Sequence, residues 1–378
     1  MSSPRLLLGL TGLTISGGIA AVARTIVRAL DEESRDGRIE RVDRVVLYED
    51  RRGVAPARGS ERVSGGSQPK FALQLWLECL RRRPDQMLFD FVGLARSLEL
   101  PLPFRSTPYS VFCHGIELTR AFPGTAHRRA LDGADRLIAN SQTTAAYIAS
   151  EFPELAERVR VAPLCIDPQM TDLWSAKGDE GGANGVSREL RRAEPVVLIV
   201  SRMWSEERGK GHDELLEAWS AILKAVPGTE LWMVGEGDDV SRLQSKASEL
   251  GLGEAVRFLG RVSDDELARC YKRASLFAMP SRQEGFGLVY AEAMWHGVPC
   301  LASCDDAGAE VVRDGQTGVL VPYGDVAAIR RAISELLSNP ERLERLGESA
   351  RRDALERFGY ERFKSDLLVA MGLAEEST

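Results

Sequence analysis

Short apolar segments alternate with helical patterns along most of the chain, and this alternation constrains the fold more than any other feature. The first segment, RLLLGL at residues 5–10, is continuously apolar, as a strand buried on both faces requires. A glycine-rich turn and a helical pattern follow it. The same succession recurs up to residue 167 and again from residue 195. Strands that alternate with helices predict parallel sheets with helices on both faces.

The two series are separated by Ser175–Pro195, which is rich in glycine and charge and poor in apolar residues. A chain of 378 residues is also too long for one ordinary core. We therefore predict the α/β class, with Rossmann-like doubly wound domains at 1–178 and 195–358 joined by a linker at 179–194. The last helix, within 359–378, is a candidate to pack back on the first domain. Because such sheets bind ligands at the carboxyl ends of their strands, two facing domains would form a central cleft.

Composition narrows the class of protein. Hydrophobic residues make up 44% and charged residues 28%, which is typical of a soluble globular protein. A net charge of −7 argues against a nucleic-acid partner. The six cysteines form no CxxC pair, so we expect buried thiols in a reducing compartment and no zinc site. The apolar run at the start is too short for a signal peptide core, and we expect a cytoplasmic protein.

The stretch PSRQEGFGLVYAEAMWHGVPCLAS, residues 280–303, carries two glutamates with seven residues between them. Glu284 is expected at the end of a strand and Glu292 about one turn into the next helix. Gly285 and Gly287 allow a close approach of the backbone to a ligand, and a helix N-terminus favours a phosphate. The pattern thus indicates a nucleotide sugar, with phosphates on the backbone amides and one carboxylate on each flanking sugar. Two glutamates at an arbitrary spacing would fit a helix cap and a surface helix residue better, and it is the glycines, the placement and the following HGVP that favour a ligand site.

This stretch resembles the E-x7-E signature of the retaining glycosyltransferases of family 4, which have the GT-B fold. The resemblance covers nearly the whole chain, more closely in its back half, and departs at Trp295, where a small residue is common. It implies that Glu284 contacts hydroxyls of the donor sugar and that Glu292 contacts the nucleotide ribose. It also implies backbone donors to sugar and phosphate at Phe286, Gly287, Leu288 and Val289.

Two cations precede this stretch in the segment RMWSEERGK. Arg202 ends a predicted strand and Lys210 precedes a predicted helix, a placement that suits a diphosphate leaving group. Taken alone, they fit two ordinary surface cations equally well. The resemblance implies that they hold the pyrophosphate, with Arg208 as a less certain neighbour. It also implies that the base is bound by backbone near Val262.

The front half supplies a second group of candidates. Gly17 and Gly18 follow the first strand, where tight turns need glycine in any case, and the resemblance implies contact with phosphate and acceptor. His114 stands at a strand end, and the resemblance places it beside the reacting sugar or the acceptor. Asn140 and Ser141 resemble a polar strand end near the acceptor, although Ser141 equally fits a helix cap.

The resemblance implies transfer of a hexose-type sugar from a UDP- or GDP-sugar to an acceptor hydroxyl, with retention of the anomeric configuration. The acceptor is expected to be a glycan or a lipid-linked glycan in cell-envelope or polysaccharide assembly. The helix predicted at 70–83 has basic ends and is a candidate for peripheral contact with the membrane, although a helix packed on the sheet fits it slightly better. Residues 50–70 are expected to form a mobile loop over the acceptor site.

We expect no metal or other cofactor, because the cations and helix amides can stabilise the leaving phosphate and no DxD pattern stands out. A front-face reaction, in which that phosphate accepts the acceptor's proton, is therefore plausible. Two other functions stay open. One is a catalytically inactive scaffold that binds a nucleotide sugar, and the other is a phosphorylase or epimerase of the same fold.

Overall fold

The computed structural model describes residues 3–15, 17–49, 56–99, 107–176, 194–282 and 284–375. These residues form two compact units. The first runs to Asp167 and takes up the chain again at Tyr360, and the second is Pro168–Gly359. Apart from Glu194, the linker predicted at 179–194 lies outside the described residues.

The first unit is built on a parallel sheet of seven strands. Their order in the sheet is β3-β2-β1-β4-β5-β6-β7, so the sheet grows to one side of β1 and then to the other. In chain order the strands are β1 Arg5–Leu10, β2 Arg41–Val46, β3 Glu61–Val63, β4 Gln86–Phe89, β5 Tyr109–Cys113, β6 Arg136–Ala139 and β7 Val159–Val161. The central strand β1 pairs with β2 and β4, and Leu6, Leu7 and Leu8 are buried, which explains its continuous apolar sequence.

The second unit has a parallel sheet of six strands in the order β10-β9-β8-β11-β12-β13. These strands are β8 Val196–Val200, β9 Glu230–Val234, β10 Val256–Gly260, β11 Leu276–Met279, β12 Cys300–Ser303 and β13 Gly318–Val321. All six follow the predicted apolar segments. The order again reverses its direction of growth at the first strand, here between β8 and β11.

Helices connect the strands of both sheets. In chain order they are α1 Gly18–Arg35, α2 Gln68–Arg82, α3 Val92–Ala95, α4 Ala126–Asp132, α5 Gln142–Glu151, α6 Pro168–Ala176, α7 His212–Ala225, α8 Val240–Glu249, α9 Asp264–Arg273, α10 Leu288–Trp295, α11 Gly308–Val311, α12 Val326–Leu337, α13 Pro340–Arg357 and α14 Tyr360–Met371. Local signals set several of their starts. Ser263 and Glu266 form a capping box at α9, and the side chain of Ser67 caps α2.

Two helices lie where the chain passes between the units, and only α6 departs from the predicted limits. Helix α6, which the sequence placed in the first domain, belongs to the second unit, where Trp174 packs against Trp295 with ring centroids 4.8 Å apart. Helix α14 belongs to the first unit. There the hydroxyl of Tyr360 donates to Glu32 at 2.8 Å, and Lys364 pairs with Glu32 at 2.9 Å. The division of the chain therefore falls at Asp167, eleven residues before the predicted limit at 178.

The expectation of a loop throughout 50–70 is wrong at residues 61–63 and from Gln68 onward. Residues 61–63 form β3, which pairs in parallel with β2, and α2 begins at Gln68. The sequence Glu-Arg-Val lacks the apolar run that marked the other strands. A buried charge pair lies there instead, because Arg44 Nη1 of β2 is 3.7 Å from Glu61 Oε2 and both side chains are nearly inaccessible.

Five of the six cysteines are buried as expected, but Cys304 is exposed. In the described part of the chain, no helix combines the length and the apolar character needed to cross a bilayer.

Candidate active site

The carboxyl ends of β8 and β11 lie next to each other at the point where the second sheet reverses its order of growth. In doubly wound sheets this point is where ligands bind. Arg202 and Lys210 lie on the segment after β8, and Glu284 lies on the segment after β11. The strand order therefore brings together two segments that the sequence separates by more than seventy residues.

Lys210 and Glu284 form the central ion pair of this edge. The Nζ atom of Lys210 lies 2.9 Å from Oε2 of Glu284, and their side chains are 11% and 21% exposed. The sequence assigned these groups to different parts of a ligand, a phosphate for Lys210 and a sugar for Glu284. A lysine ammonium has three donors, so one can hold Glu284 while others meet an anion.

Backbone contacts fix this pair in place. The amide of Arg282 donates to the carbonyl of Gly209 at 2.9 Å, which ties the two segments together. Gly211 has a φ of +91°, and a Cβ there would come within 2.9 Å of the carbonyl oxygen of Pro280. One residue later, Nε2 of His212 lies 3.0 Å from the hydroxyl of Ser201. Burial lowers the pKa of His212 to about 4, so this imidazole is neutral.

Asp306 supports Glu284 from the segment after β12, and the sequence analysis missed it. Its Oδ2 accepts from the amide of Glu284 at 3.0 Å, and its Oδ1 accepts from the amide of Gly308 at 2.9 Å. Burial raises its pKa to about 6. The expectation that ligands bind at strand ends, applied to β12, would have drawn attention to this carboxylate.

The N-terminus of α10 follows Glu284 directly. Gly287 is the N-cap with a φ of +95°, and a Cβ there would overlap the ring of Tyr290. Phe286 is buried edge-on against Phe358, with ring centroids 5.8 Å apart, so its side chain belongs to the core and only its backbone suits a ligand. Leu288 and Val289 start the helix, where the first amides have no acceptor within it.

Glu292 is the fifth residue of α10 and is partly buried. Its Oε2 accepts a hydrogen bond from the hydroxyl of Tyr271 at 2.8 Å. Tyr271 lies on α9 and is fully buried. Sequence reasoning did not single out this tyrosine.

The other cation predicted for the pyrophosphate has a different partner. Arg202 is 64% exposed and pairs with Glu207 at 3.1 Å.

Two further candidates lie near this edge. Arg208 pairs with Asp239 at 2.9 Å. Val262 lies two residues beyond the end of β10, at the same edge of the sheet, and is half-buried.

The first unit has its own polar edge at the carboxyl ends of β4, β5 and β6. Nε2 of His114 lies 2.7 Å from the carbonyl oxygen of Asp90, and because a carbonyl only accepts, Nε2 carries the proton. The backbone amide of His114 donates to Oε1 of Glu117 at 2.5 Å. In the tautomer that carries its single proton on Nε2, Nδ1 is a hydrogen-bond acceptor.

Asp90 also links β4 to the segment after β1. Both of its carboxylate oxygens accept from Thr11, whose amide lies 2.9 Å from Oδ2, and burial raises the pKa of Asp90 to about 7. Gly17 caps α1 with a φ of +121°, and Gly18 is exposed. Asn140 donates to the carbonyl of His114 at 3.3 Å, and Ser141 caps α5.

Metal ligands are a separate question. Within the described ranges, no three or more histidine, cysteine, aspartate or glutamate side chains are placed to hold a metal ion.

Comparison with known proteins finds a family that part of this chain resembles. Residues 186–353 match the family model described as Glycosyl transferases group 1. This match covers less than half of the chain and lies within the back half, where the resemblance is closer. The predicted resemblance to family 4 is thereby confirmed. Arg202, Lys210, Glu284 and Glu292 lie within the matched residues, whereas His114 lies before them.

Two curated relatives show the extent of the similarity. The chain is 35% identical over 243 residues to the GDP-mannose-dependent alpha-(1-6)-phosphatidylinositol monomannoside mannosyltransferase of Mycolicibacterium smegmatis, covering 62% of each chain. It is 34% identical over 253 residues to the D-inositol 3-phosphate glycosyltransferase of Salinispora arenicola, covering 64% of this chain and 55% of the relative. The chain thus spans less than two thirds of the length of these relatives.

Solved structures agree on the fold. Sucrose-phosphate synthase from Thermosynechococcus elongatus matches with a TM-score of 0.76 and 21% identity, over 98% of each chain. Anabaena Alr3699/HepE in complex with UDP and glucose matches with a TM-score of 0.70 and 19% identity, over 98% of this chain and 99% of that one. The predicted GT-B fold class, with two Rossmann-like domains, is confirmed.

Proposed function

We propose that this chain transfers a hexose-type sugar from a nucleotide diphosphate sugar to the hydroxyl of a glycan or lipid-linked glycan. The observation that carries the proposal is the Lys210–Glu284 pair, 2.9 Å apart at the switch point of the second sheet and followed by the N-terminus of α10. A carboxylate beside a phosphate site would normally repel the ligand. Here Lys210 compensates the charge of Glu284, so an anion and a polyol can bind side by side.

The proposed roles follow from this arrangement. Glu284 accepts from hydroxyls of the donor sugar, while Lys210 and the first amides of α10 contact the diphosphate. Arg202 is more exposed and exchanges Glu207 for a phosphate oxygen when the donor binds. The backbone near Val262 contacts the base, and Glu292 contacts the ribose. In the first unit, His114 contacts the reacting sugar or the acceptor through Nδ1, and Gly17 and Gly18 contact phosphate and acceptor.

We further propose retention of configuration by a front-face route without a metal or other cofactor. The leaving phosphate takes the proton of the acceptor hydroxyl, while Lys210 and Arg202 stabilise its growing negative charge. In acyl-transfer sites, the loss of one such hydrogen-bond donor raises the activation barrier by roughly 2.7–4 kcal/mol. The resemblance to family 4 supports retention, and the placement of the two cations supports the absence of a metal.

The names of the relatives select the first donors and acceptors to test. The mycobacterial relative is named for GDP-mannose and a phosphatidylinositol mannoside. One structural neighbour is described with UDP and glucose. GDP-mannose is therefore the first donor to test and UDP-glucose the second, with phosphatidylinositol mannosides, inositol 3-phosphate and simple glycosides as acceptors.

The test is a transfer assay with each donor, in the presence of EDTA, followed by NMR of the product. We expect a product whose anomeric configuration equals that of the donor, and loss of turnover in Glu284→Gln. Glu356→Gln, at an exposed glutamate of α13, is the matched control and keeps full activity. Tight nucleotide binding without turnover for any acceptor would favour the inactive scaffold, and transfer to inorganic phosphate alone would favour a phosphorylase.

We also propose that α2 brings the enzyme to the inner, cytoplasmic face of an anionic membrane. Leu73 and Leu80 of this helix are 55% and 46% exposed, and Leu77 completes the same face at helical spacing. Lys70 and Arg81 are exposed near its two ends. An apolar stripe with basic ends fits a surface of anionic lipids by charge complementarity.

Sedimentation with lipid vesicles tests this contact. We expect binding to vesicles of phosphatidylglycerol and phosphatidylcholine, and weak binding to phosphatidylcholine alone. Leu73→Gln with Leu80→Gln should reduce binding severalfold. Leu355→Gln, at a leucine of α13 that is 52% exposed, should leave it unchanged. Equal binding by all three proteins would contradict the membrane contact.

A further inference from the structure

Tyr271 donates a hydrogen bond to the carboxylate that the proposed function assigns to the ribose. Its hydroxyl lies 2.8 Å from Oε2 of Glu292. The two residues stand on different helices, α9 and α10, and 21 residues separate them in the chain. The bond therefore results from the packing of these helices and not from local sequence.

In its hydrogen bond to Glu292, the phenol of Tyr271 is the donor. Tyr271 is completely buried, and burial together with the neighbouring carboxylate raises its pKa well above the usual range. The hydroxyl stays protonated at any physiological pH. An ionised carboxylate oxygen accepts hydrogen bonds and has no proton to donate, so the direction of this hydrogen bond is fixed.

The tyrosine ring itself is held by aromatic neighbours. It stacks on the imidazole of His296, with centroids 5.5 Å apart and planes 17° apart. It also lies 6.2 Å from the ring of Phe277 on β11. His296 in turn packs against Trp174, with centroids 4.5 Å apart. A donor fixed in this way has little freedom to move, whereas a glutamate side chain has three rotatable bonds.

We propose that Tyr271 is a positioning residue, which holds the Glu292 carboxylate in the orientation that accepts from the ribose hydroxyls of the nucleotide. This role rests on the proposed function, because it takes the ligand of Glu292 to be a ribose. A carboxylate has two oxygens with about four lone-pair positions. The hydroxyl of Tyr271 occupies one position on Oε2, and the bond orients the remaining ones.

The role makes a prediction that a purely structural tyrosine does not share. If Tyr271 acts through Glu292, its loss should weaken only the part of binding that depends on the ribose hydroxyls. If it merely supports the fold, its loss should weaken binding of every nucleotide alike. The readout is therefore the ratio of dissociation constants for a 2′,3′-dideoxynucleoside diphosphate and the matching ribonucleoside diphosphate.

The experiment is calorimetry of the full chain with GDP and UDP and with their 2′,3′-dideoxy forms. We expect the wild type to bind the ribose form of one base more tightly. In Tyr271→Phe this preference should fall about fivefold, the scale of one hydrogen bond, while affinity for the dideoxy form stays within about twofold. Glu292→Gln should lower the preference as well, and the double variant should lower it no further than Glu292→Gln.

A matched control exists in the other unit. Tyr360 also donates its hydroxyl to a glutamate, Glu32, at the same distance of 2.8 Å. Tyr360→Phe removes an equivalent bond and should leave the ribose preference unchanged. An unchanged preference in Tyr271→Phe, or equal weakening of both nucleotide forms, would overturn the positioning role and leave the proposed function standing. Failure of the wild type to bind any nucleoside diphosphate would overturn both.

Discussion

The amide of Glu284 donates to the buried carboxylate of Asp306, so the residue that pairs with Lys210 is held through its backbone as well as its side chain. The donor lies on the segment after β11 and the acceptor on the segment after β12. Glu284 is thus held at its backbone amide by Asp306 and at its carboxylate by Lys210. This arrangement accounts for a carboxylate that keeps its orientation beside the proposed phosphate site.

Removing Lys210 and removing Glu284, each by itself, should have different effects on nucleotide binding and on turnover. Lys210→Met should weaken binding of the nucleoside diphosphate and lower turnover roughly 10²- to 10³-fold, because it removes a donor to the leaving phosphate. Glu284→Gln should lower turnover while the affinity for the nucleoside diphosphate changes far less, because the carboxylate contacts the sugar. Calorimetry with the diphosphate and initial rates with the donor distinguish the two. Equal effects of both variants on diphosphate binding would contradict the assignment.

Asp306 should impose a pH dependence on activity. Its pKa is about 6, and its ionised form accepts from the amides of Glu284 and Gly308. As the pH falls through about 6, one oxygen takes up a proton and can no longer accept in the same way. Turnover should therefore fall below pH 6 in the wild type. Asp306→Asn should lack this inflection, whereas Asp305→Asn, at its exposed neighbour, should retain it.

His212 should make the second unit less stable in acid. Its pKa is about 4 in the folded protein and about 6.5 in an unfolded chain. Between these values only the unfolded state binds the proton, so the free energy of unfolding falls as the pH drops from 6.5 to 4. The loss over this range is roughly 3 kcal/mol.

Urea unfolding at pH 7.5 and pH 4.5 checks the prediction for His212. His212→Asn should lose less stability between the two pH values than the wild type. The raised pKa of Asp306 acts in the opposite direction, but it affects both proteins equally, so the difference between them isolates His212. An identical loss in both proteins would contradict the assignment of this histidine.

Alanine substitutions at Gly287 and Gly18 should distinguish a glycine that the backbone conformation requires from one that only a bound ligand would require. Gly287→Ala forces an alanine into a φ of +95° and against the ring of Tyr290, which should cost roughly 1–3 kcal/mol or more and lower activity. Gly18→Ala meets nothing within 4 Å and has no positive φ. It should leave the melting temperature unchanged. Lower affinity for the donor in that stable variant would show that a ligand approaches Gly18. A lower melting temperature would contradict the open surroundings and ordinary backbone conformation of Gly18.

The sequence predicted what local patterns determine. The six strands of the second sheet stood out because burial on both faces demands continuous apolar runs. Lys210 and Glu284 stood out because each follows such a strand, next to glycines. Strand β3 was missed because its buried residue Glu61 is a charged one that pairs with Arg44, which no local pattern reports.

The supporting residues were missed for a related reason. Tyr271, Asp306 and Asp90 act through partners 21, 22 and 79 residues away. Such contacts depend on the order of strands in the sheet and on how helices pack, and a single sequence specifies neither residue by residue. The ion pair of Lys210 with Glu284 is of the same kind, because the two residues were predicted separately for different parts of the ligand.

Calorimetric titration with GDP and UDP, with and without EDTA, tests the central claim most directly. The account predicts micromolar binding of one of them, unchanged by EDTA and strongly reduced in Lys210→Ala and Glu292→Ala. Binding that requires a divalent cation would contradict the metal-free site. Binding of neither nucleotide by a folded protein would contradict the assignment of this sheet edge to a nucleotide sugar.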